Sequence, residues 1–159
     1  MKEKLIEEII NEELSADDRA VALDFVAFLR ENELEFVRDR GYWRDKIYFL
    51  IQYDQECVCF MAINDPDEKD NRFTVWSDEM HEEYLTEEAV ENSLKETAWK
   101  HVDLCGHCGS CGGGKDKVIF GKKFDRVCGC TFRVDNPDRN DLAFMKKMVE
   151  LKIRELIEK

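Results

Sequence analysis

The sequence predicts an α+β domain in which N-terminal and C-terminal helices pack on one face of an antiparallel sheet. Apolar residues recur at helical spacing near both ends of the chain. Between them, short runs rich in β-branched and aromatic residues alternate with turn residues. The 159 residues suffice for one domain with a sizeable core, and no internal repeat or linker divides them. We therefore expect residues 1–159 to form a single domain.

The predicted helices follow from apolar spacing and from the residues that begin them. Lys2–Glu13 carries leucine and isoleucine at helical spacing, and Ser15 is the predicted N-cap of a second helix that ends near Glu31. Thr86 is the predicted N-cap of a third helix, with acidic residues in its first turn. Asn136 is the predicted N-cap of the last helix, and a proline follows at its first position.

Short β-rich runs between the second and third helices predict an antiparallel meander. In chain order they are Leu34–Val37, Ile47–Ile51, Cys57–Ile63 and Phe73–Trp76. Two further runs, Lys117–Phe120 and Thr131–Val134, lie within and just after a segment rich in cysteine and glycine. We expect this segment, residues 105–130, to form a zinc-ribbon-like, metal-binding hairpin inserted in the domain.

Charge and hydropathy limit the classes of function. The net charge is −12, and an acidic body repels nucleic acid and anionic membranes at long range. No apolar run approaches the ~18 residues of a membrane helix, and no signal-peptide core follows Met1. We therefore expect a cytoplasmic protein that binds neither nucleic acid nor membrane. A small molecule or another protein is the expected partner, and the oligomeric state stays open.

Five of the seven cysteines form the most specific pattern, C-x2-C-x2-C-x16-C-x-C. It is close to the paired C-x2-C spacing of zinc sites, with a shortened second pair. Seven of the eight glycines lie between Gly106 and Gly129, where they permit tight turns around a small group. In a cytoplasmic protein such cysteines indicate metal ligands before disulfides. The predicted four-cysteine zinc ligands are Cys105, Cys108, Cys128 and Cys130, with Cys111 as the alternative ligand.

A metal would also supply stabilisation that this segment lacks. Only five large apolar residues lie between Cys105 and Cys130. Ordering each residue of the segment costs roughly 1–2 kcal/mol. A structural zinc contributes about 10–16 kcal/mol in small peptide sites, which is enough to matter here.

Other interpretations of the same cysteines remain open. An iron–sulfur cluster with Cys128 as its fourth ligand is one, and free thiols in a glycine-rich loop are another. The match of residues 105–108 to an isomerase dithiol is weakened because glycines, not a helix, follow it. A structural site needs four ligands, so the fifth thiol favours a thiol-based redox or metal sensor as the alternative function.

Aromatic residues provide a second candidate site. Trp43, Tyr48 and Trp76 lie in or beside the predicted strands, where alternating side chains share a face and can line a ligand cleft. Ordinary core packing is the competing interpretation. No serine–histidine–acid set stands out, so nothing argues positively for catalysis. A non-catalytic binding or regulatory domain is the expected function.

Three stretches of the chain resemble a known family. They are VDLCGHC at 102–108, KVIFGKKFDRVC at 117–128 and FRVDNP at 132–137, continuing into the last helix. The family is one of small bacterial, clostridial-type cytosolic proteins with a cysteine cluster, and the resemblance implies no activity. The order of helices and strands is also similar to effector-binding domains of the gyrase-inhibitor-like type, which bind amphipathic molecules in a sheet-lined cleft. The cysteine–glycine insertion departs from that fold.

Overall fold

Helices and an antiparallel sheet make up the part of the chain that the computed structural model describes, residues 5–38, 47–64, 70–104 and 114–158. The α-helices are α1 Ile6–Glu13, α2 Ala16–Glu31, α3 Asn92–Lys100 and α4 Arg139–Glu158. The strands are β1 Glu35–Arg38, β2 Ile47–Tyr53, β3 Glu56–Ile63, β4 Phe73–Ser77, β5 Val102–Leu104, β6 Lys115–Ile119 and β7 Lys122–Asp135. The predicted α+β class with an antiparallel sheet is confirmed.

The sheet has the strand order β1-β2-β3-β4-β7-β5, and β6 pairs with the first half of β7. Every pair is antiparallel, and β1 to β4 form the predicted meander. The fourteen-residue strand β7 joins two parts of the sheet, because its last residues pair with β4 and its first residues pair with β6. Residues from the cysteine-rich segment thereby enter the same sheet as the meander.

The core lies between the sheet and the helices. The helix α4 contacts β3, α2 and α3, and α1 packs on α2. Fully buried side chains from the helices and the sheet form one cluster, including Phe25, Leu29, Met61, Val75, Phe144 and Met145. Within the described ranges, no helix is both long and apolar enough to cross a bilayer.

The predicted start of the third helix at Thr86 is wrong. A single 3₁₀ turn, Glu87–Ala89, follows Thr86, and Val90 is extended with φ −135° and ψ 156°. The α-helix begins only at Asn92. Leu85 and Val90 are both buried in the core. Their burial from a non-helical segment overrides the local helix signals.

The predicted cap of the last helix is also wrong, because Asp138 occupies that role rather than Asn136. The Asp138 carboxylate accepts hydrogen bonds from the backbone N–H groups of Asn140, at 2.8 Å, and Asp141, at 3.2 Å. The Asn136 amide oxygen instead accepts from the backbone N–H of Arg72 at 2.7 Å. Asn136 has a φ of +49° and closes the turn after β7, so α4 begins three residues later.

Candidate metal centre

Two of the predicted ligands, Cys128 and Cys130, lie in a bulge of β7. This strand pairs with β5 at Val127 and again at Phe132. Between these pairs, four residues of β7 stand opposite the single residue Asp103. Bulges re-aim side chains that a regular strand would alternate between its two faces.

The bulge brings three potential ligand atoms together. The sulfur atoms of Cys128 and Cys130 and a carboxylate oxygen of Asp103 all lie within 4.8 Å of one another, and each residue is partly buried. The Cys130 thiol donates a hydrogen bond to Asp103 Oδ2 at 3.2 Å. In tetrahedral zinc sites, sulfur atoms bound at ~2.3 Å lie about 3.8 Å apart. The three atoms are therefore close enough to be candidate ligands of one ion.

A buried hydroxyl holds the backbone of the bulge against β4. Ser77 donates a hydrogen bond to the carbonyl oxygen of Cys130 and accepts one from the backbone N–H of Phe132 at 3.1 Å. Thr131, between them, has a φ of +68°, in the left-handed region that side chains rarely adopt. Ser77 thus satisfies two buried backbone groups beside an irregular turn of the strand.

The chain enters and leaves residues 105–113 beside this bulge. Leu104, which ends β5, and Lys115, which begins β6, both pair with Val127, one on each side of β7. Gly114 approaches β7 so closely that a Cβ atom there would lie 2.9 Å from the carbonyl oxygen of Val127. Its φ of +82° also favours glycine. Both ends of the segment are therefore fixed next to Cys128.

Three of the predicted ligands, Cys105, Cys108 and Cys111, belong to that segment and lie outside the described residues. Cys105 is bonded directly to Leu104, whose strand partner is the neighbour of Cys128. The first cysteine of the pattern therefore directly follows a residue that pairs beside Cys128.

Electrostatics at the cluster disfavour a thiolate without a cation. Burial, and after it the negative charges of Asp103 and Cys128, raise the pKa of the Cys130 thiol. A cysteine must lose its proton to bind a metal. A divalent cation at this position would offset the charge of the carboxylate and of both sulfur atoms.

Comparison with known proteins identifies no relative of this chain. No family model, curated protein or solved structure matches the chain. The chemistry of the cluster itself therefore carries the functional conclusion.

Two of the aromatic candidates, Tyr48 and Trp76, lie elsewhere in the sheet and outside the buried core cluster. The rings of Tyr48 and Trp76 have centroids 6.0 Å apart, and Tyr48 stacks on Phe60 at 6.1 Å. The Arg133 guanidinium lies 5.3 Å from the centre of the Trp76 ring. Trp43 lies outside the described residues. A ligand cleft lined by all three predicted residues stays a prediction.

The two remaining cysteines, Cys57 and Cys59, lie on β3 and do not join the cluster. Burial, reinforced by the charge of Asp78, raises the pKa of Cys57 to about 12. Burial likewise raises the pKa of Cys59, which is enclosed in the core. Neither thiol belongs to a group of three potential ligand atoms among the described residues, so both suit packing rather than metal binding.

An open cleft of about 650 Å³ lies between the N-termini of α2 and α4, and none of the described cysteines lines it. Arg72 and Asp18 form an ion pair of 2.5 Å there. These two charges already satisfy each other, and the cleft offers no chemistry comparable to the cysteine cluster.

Sequence reasoning missed Asp103. Its strand β5 was not predicted, since a three-residue run carries little periodicity. One signal was present: a carboxylate lies two residues before the first cysteine of the pattern, between two apolar residues. Its partnership with Cys130 depends on strand pairing across 27 residues, which spacing alone does not predict.

Proposed function

We propose that this chain is a zinc-binding protein in which a metal–thiolate centre is structural, and that it acts as a non-catalytic binding or regulatory domain. The observation that supports this proposal is the convergence of Cys128, Cys130 and Asp103 within 4.8 Å. Both ends of a segment with three more cysteines flank the same bulge. A ligand set drawn from these residues has the donor chemistry that zinc prefers.

The proposed ligand set combines the bulge with the segment before it. Cys128 and Cys130 provide two thiolates, and Cys105 and Cys108 complete the tetrahedron, with Cys111 as the alternative. Asp103 competes for one position or accepts a hydrogen bond from a ligand. A carboxylate inside the cluster favours zinc over an iron–sulfur cluster, because zinc accepts mixed sulfur and oxygen donors whereas such clusters are held by thiolates.

The metal's proposed role is to close the junction of β5, β6 and β7. Strand β5 ends and strand β6 begins beside Val127, and the bulge between Val127 and Phe132 interrupts the pairing of β7 with β5. A shared ion would cross-link the segment to the bulge at the point where the sheet lacks regular hydrogen bonds. Metal binding would then add directly to the free energy of folding.

The binding role is proposed for the aromatic face of the sheet. Tyr48 and Trp76 present adjacent rings, and Arg133 adds a positive charge above one of them. Aromatic side chains and arginine are enriched at binding surfaces because they combine apolar area with a polar group. A small molecule or a protein partner is the proposed occupant.

Elemental analysis and native mass spectrometry test the metal proposal on full-length protein purified anaerobically without added metal. We expect one zinc per chain, and Cys128→Ser should lose it and melt at a lower temperature. Cys57→Ser is the matched control, because Cys57 lies on β3 outside the cluster, and it should retain the zinc. Absence of metal from the wild-type protein, or equal loss in both variants, would overturn the proposal.

A reversible redox or metal sensor is the second candidate, and the hydrogen bond between Cys130 and Asp103 favours it. That bond, 3.2 Å long, gives the protonated Cys130 thiol a partner when no metal is bound. Mild hydrogen peroxide should then release zinc and a dithiol reductant should restore it. A purely structural centre would keep its metal under the same treatment.

A further inference from the structure

Cys128 and Cys130 form a pair of thiols that are close enough to react with each other. Their sulfur atoms lie within 4.8 Å of one another, and both residues are partly exposed. The chain contains a second C-x-C pair, Cys57 and Cys59, but Cys59 is enclosed in the core with 1% of the residue exposed. Of these two pairs, the one in the bulge of β7 is therefore open to a small oxidant.

The bulge compacts the backbone on which this pair lies. In a regular strand, Cα atoms two residues apart are separated by about 6.6 Å, which is close to the upper limit of ~6.8 Å for disulfides. Val127 pairs with Leu104 and Phe132 pairs with Val102, so five steps of β7 run alongside two steps of β5. The chain advances roughly 7 Å here instead of about 17 Å. Residues two positions apart in this stretch therefore lie closer along the strand than in a regular one.

Two contacts position Cys130, while Gly129 leaves the backbone room to adjust. The Cys130 thiol donates a hydrogen bond to Asp103 at 3.2 Å, and its carbonyl oxygen accepts one from Ser77. A Cβ atom at Gly129 would have no atom within 4 Å, so the peptide between the two cysteines has space to rotate. The sulfur atoms must approach to about 2.05 Å to form a disulfide, and this freedom permits the approach.

We propose that Cys128 and Cys130 are a redox modification site that closes to an intramolecular disulfide when hydrogen peroxide oxidises it. In the first step one sulfur bonds to a peroxide oxygen and the O–O bond breaks, which gives a sulfenic acid and water. In the second step the other sulfur displaces the sulfenic oxygen, which leaves as a second water. The two sulfur atoms lose two electrons to the peroxide oxygens, and both thiol protons end in the water.

This inference deepens the sensor candidate, and its effect on metal rests on the proposed zinc site. A disulfide here removes two thiolates from the proposed ligand set, so zinc would leave as the bond forms. Formation of the bond itself needs no metal. The disulfide should be reduced readily, because exposed or strained disulfides are the labile ones.

Oxidation of the full-length protein with dilute hydrogen peroxide, with and without zinc, tests the assignment. After free thiols are alkylated, trypsin releases peptide 127–133, which contains both cysteines of the bulge, whereas the three cysteines at 105, 108 and 111 lie in peptide 101–115. We expect most of peptide 127–133 to escape alkylation and to be lighter by two hydrogen atoms than its dithiol form. Zinc should be released in equal amount, and a dithiol reductant should reverse both changes.

The chain provides a matched control in its second C-x-C pair. Cys57 and Cys59 share peptide 47–69 and the same spacing, and we expect them to remain thiols because Cys59 is buried. The same treatment of the urea-unfolded chain controls for sequence spacing, and it should give a lower yield of the 128–130 bond among mixed disulfides.

The outcomes separate this inference from the zinc proposal. Cross-linking of peptide 127–133 to peptide 101–115, addition of oxygen to a cysteine without a disulfide, or equal oxidation of the pair at 57 and 59 would overturn the assignment. An equal yield in the unfolded chain would also overturn it, because spacing alone would then explain the bond. A chain that binds no zinc but forms the disulfide contradicts the zinc proposal alone. A chain that keeps its zinc and its thiols under peroxide contradicts the disulfide alone.

Discussion

Alanine substitutions at Gly114 and Gly129 form a matched pair, and their difference in stability tests how closely the chain packs beside the cysteine cluster. A Cβ atom at Gly114 would lie 2.7 Å from the backbone of Arg126 and 2.9 Å from the carbonyl oxygen of Val127. Gly129, between the two clustered cysteines, has no atom within 4 Å of such a Cβ. Alanine at 114 must therefore adopt a φ of +82°, at roughly 1–2 kcal/mol, and must also displace backbone, which typically adds about 1–3 kcal/mol.

We expect Gly114→Ala to lower the free energy of unfolding by about 3 kcal/mol. Gly129→Ala should be neutral or stabilising by up to about 1 kcal/mol, because alanine reduces the entropy of the unfolded chain. Urea unfolding of the metal-free proteins, followed by circular dichroism, gives both values. The reasoning is refuted if the two variants differ by less than about 0.5 kcal/mol, the usual range of surface substitutions, because Gly114 would then have room to move.

Three further predictions concern the body of the fold. Ser77→Ala leaves two buried backbone groups of the bulge without a partner. It should therefore lower the free energy of unfolding, measured in urea, by about 2–4 kcal/mol. A loss of less than about 1 kcal/mol would contradict the proposal that Ser77 bridges the two groups. Glu155→Ala leaves the buried ammonium of Lys152 without its carboxylate partner, which should lower the free energy of unfolding by about 3–5 kcal/mol. Adding Lys152→Met should restore only part of this loss, because Glu155 also accepts a hydrogen bond from the backbone N–H of His81. A hydrogen bond from Arg30 lowers the pKa of Glu7 below its ordinary value of 4.5. Its stabilisation is therefore present above that value and lost as the pH falls, so Glu7→Gln should lower stability by about 0.5 kcal/mol at pH 7 and leave it unchanged below pH ~3.

The meander could be predicted because its strands carry a local signal. Its four runs are short, β-branched or aromatic, and bounded by turn residues, and each became a strand. Of the long strand β7 only the last part, Thr131–Val134, could be predicted, because Gly129 between two cysteines disfavours a strand and is typical of a loop. The residues on either side of this stretch pair with β4, β5 and β6, and this pairing keeps it within the strand. Tertiary hydrogen bonds, rather than local preference, explain its conformation.

Part of the candidate site could likewise be predicted from the sequence, and part of it could not. The spacing of the cysteines is a property of the linear chain, so the thiols at 128 and 130 could be selected from the sequence. Asp103 and Ser77 reach the bulge from two other strands. Their contacts depend on strand register, which one sequence does not specify for an irregular pairing. The carboxylate and the hydroxyl consequently reach the bulge only once the sheet is assembled.

Zinc K-edge X-ray absorption of the zinc-loaded full chain tests the central claim most directly, because it distinguishes sulfur from oxygen and nitrogen ligands. The account predicts a dominant sulfur shell at about 2.3 Å, and any zinc that Cys128→Ser or Cys130→Ser still binds when zinc is added back should have fewer sulfur neighbours. Cys57→Ser should leave the spectrum unchanged. A shell of only oxygen or nitrogen at about 2.0–2.1 Å, with no sulfur, would contradict the proposal that this cluster is a metal–thiolate centre.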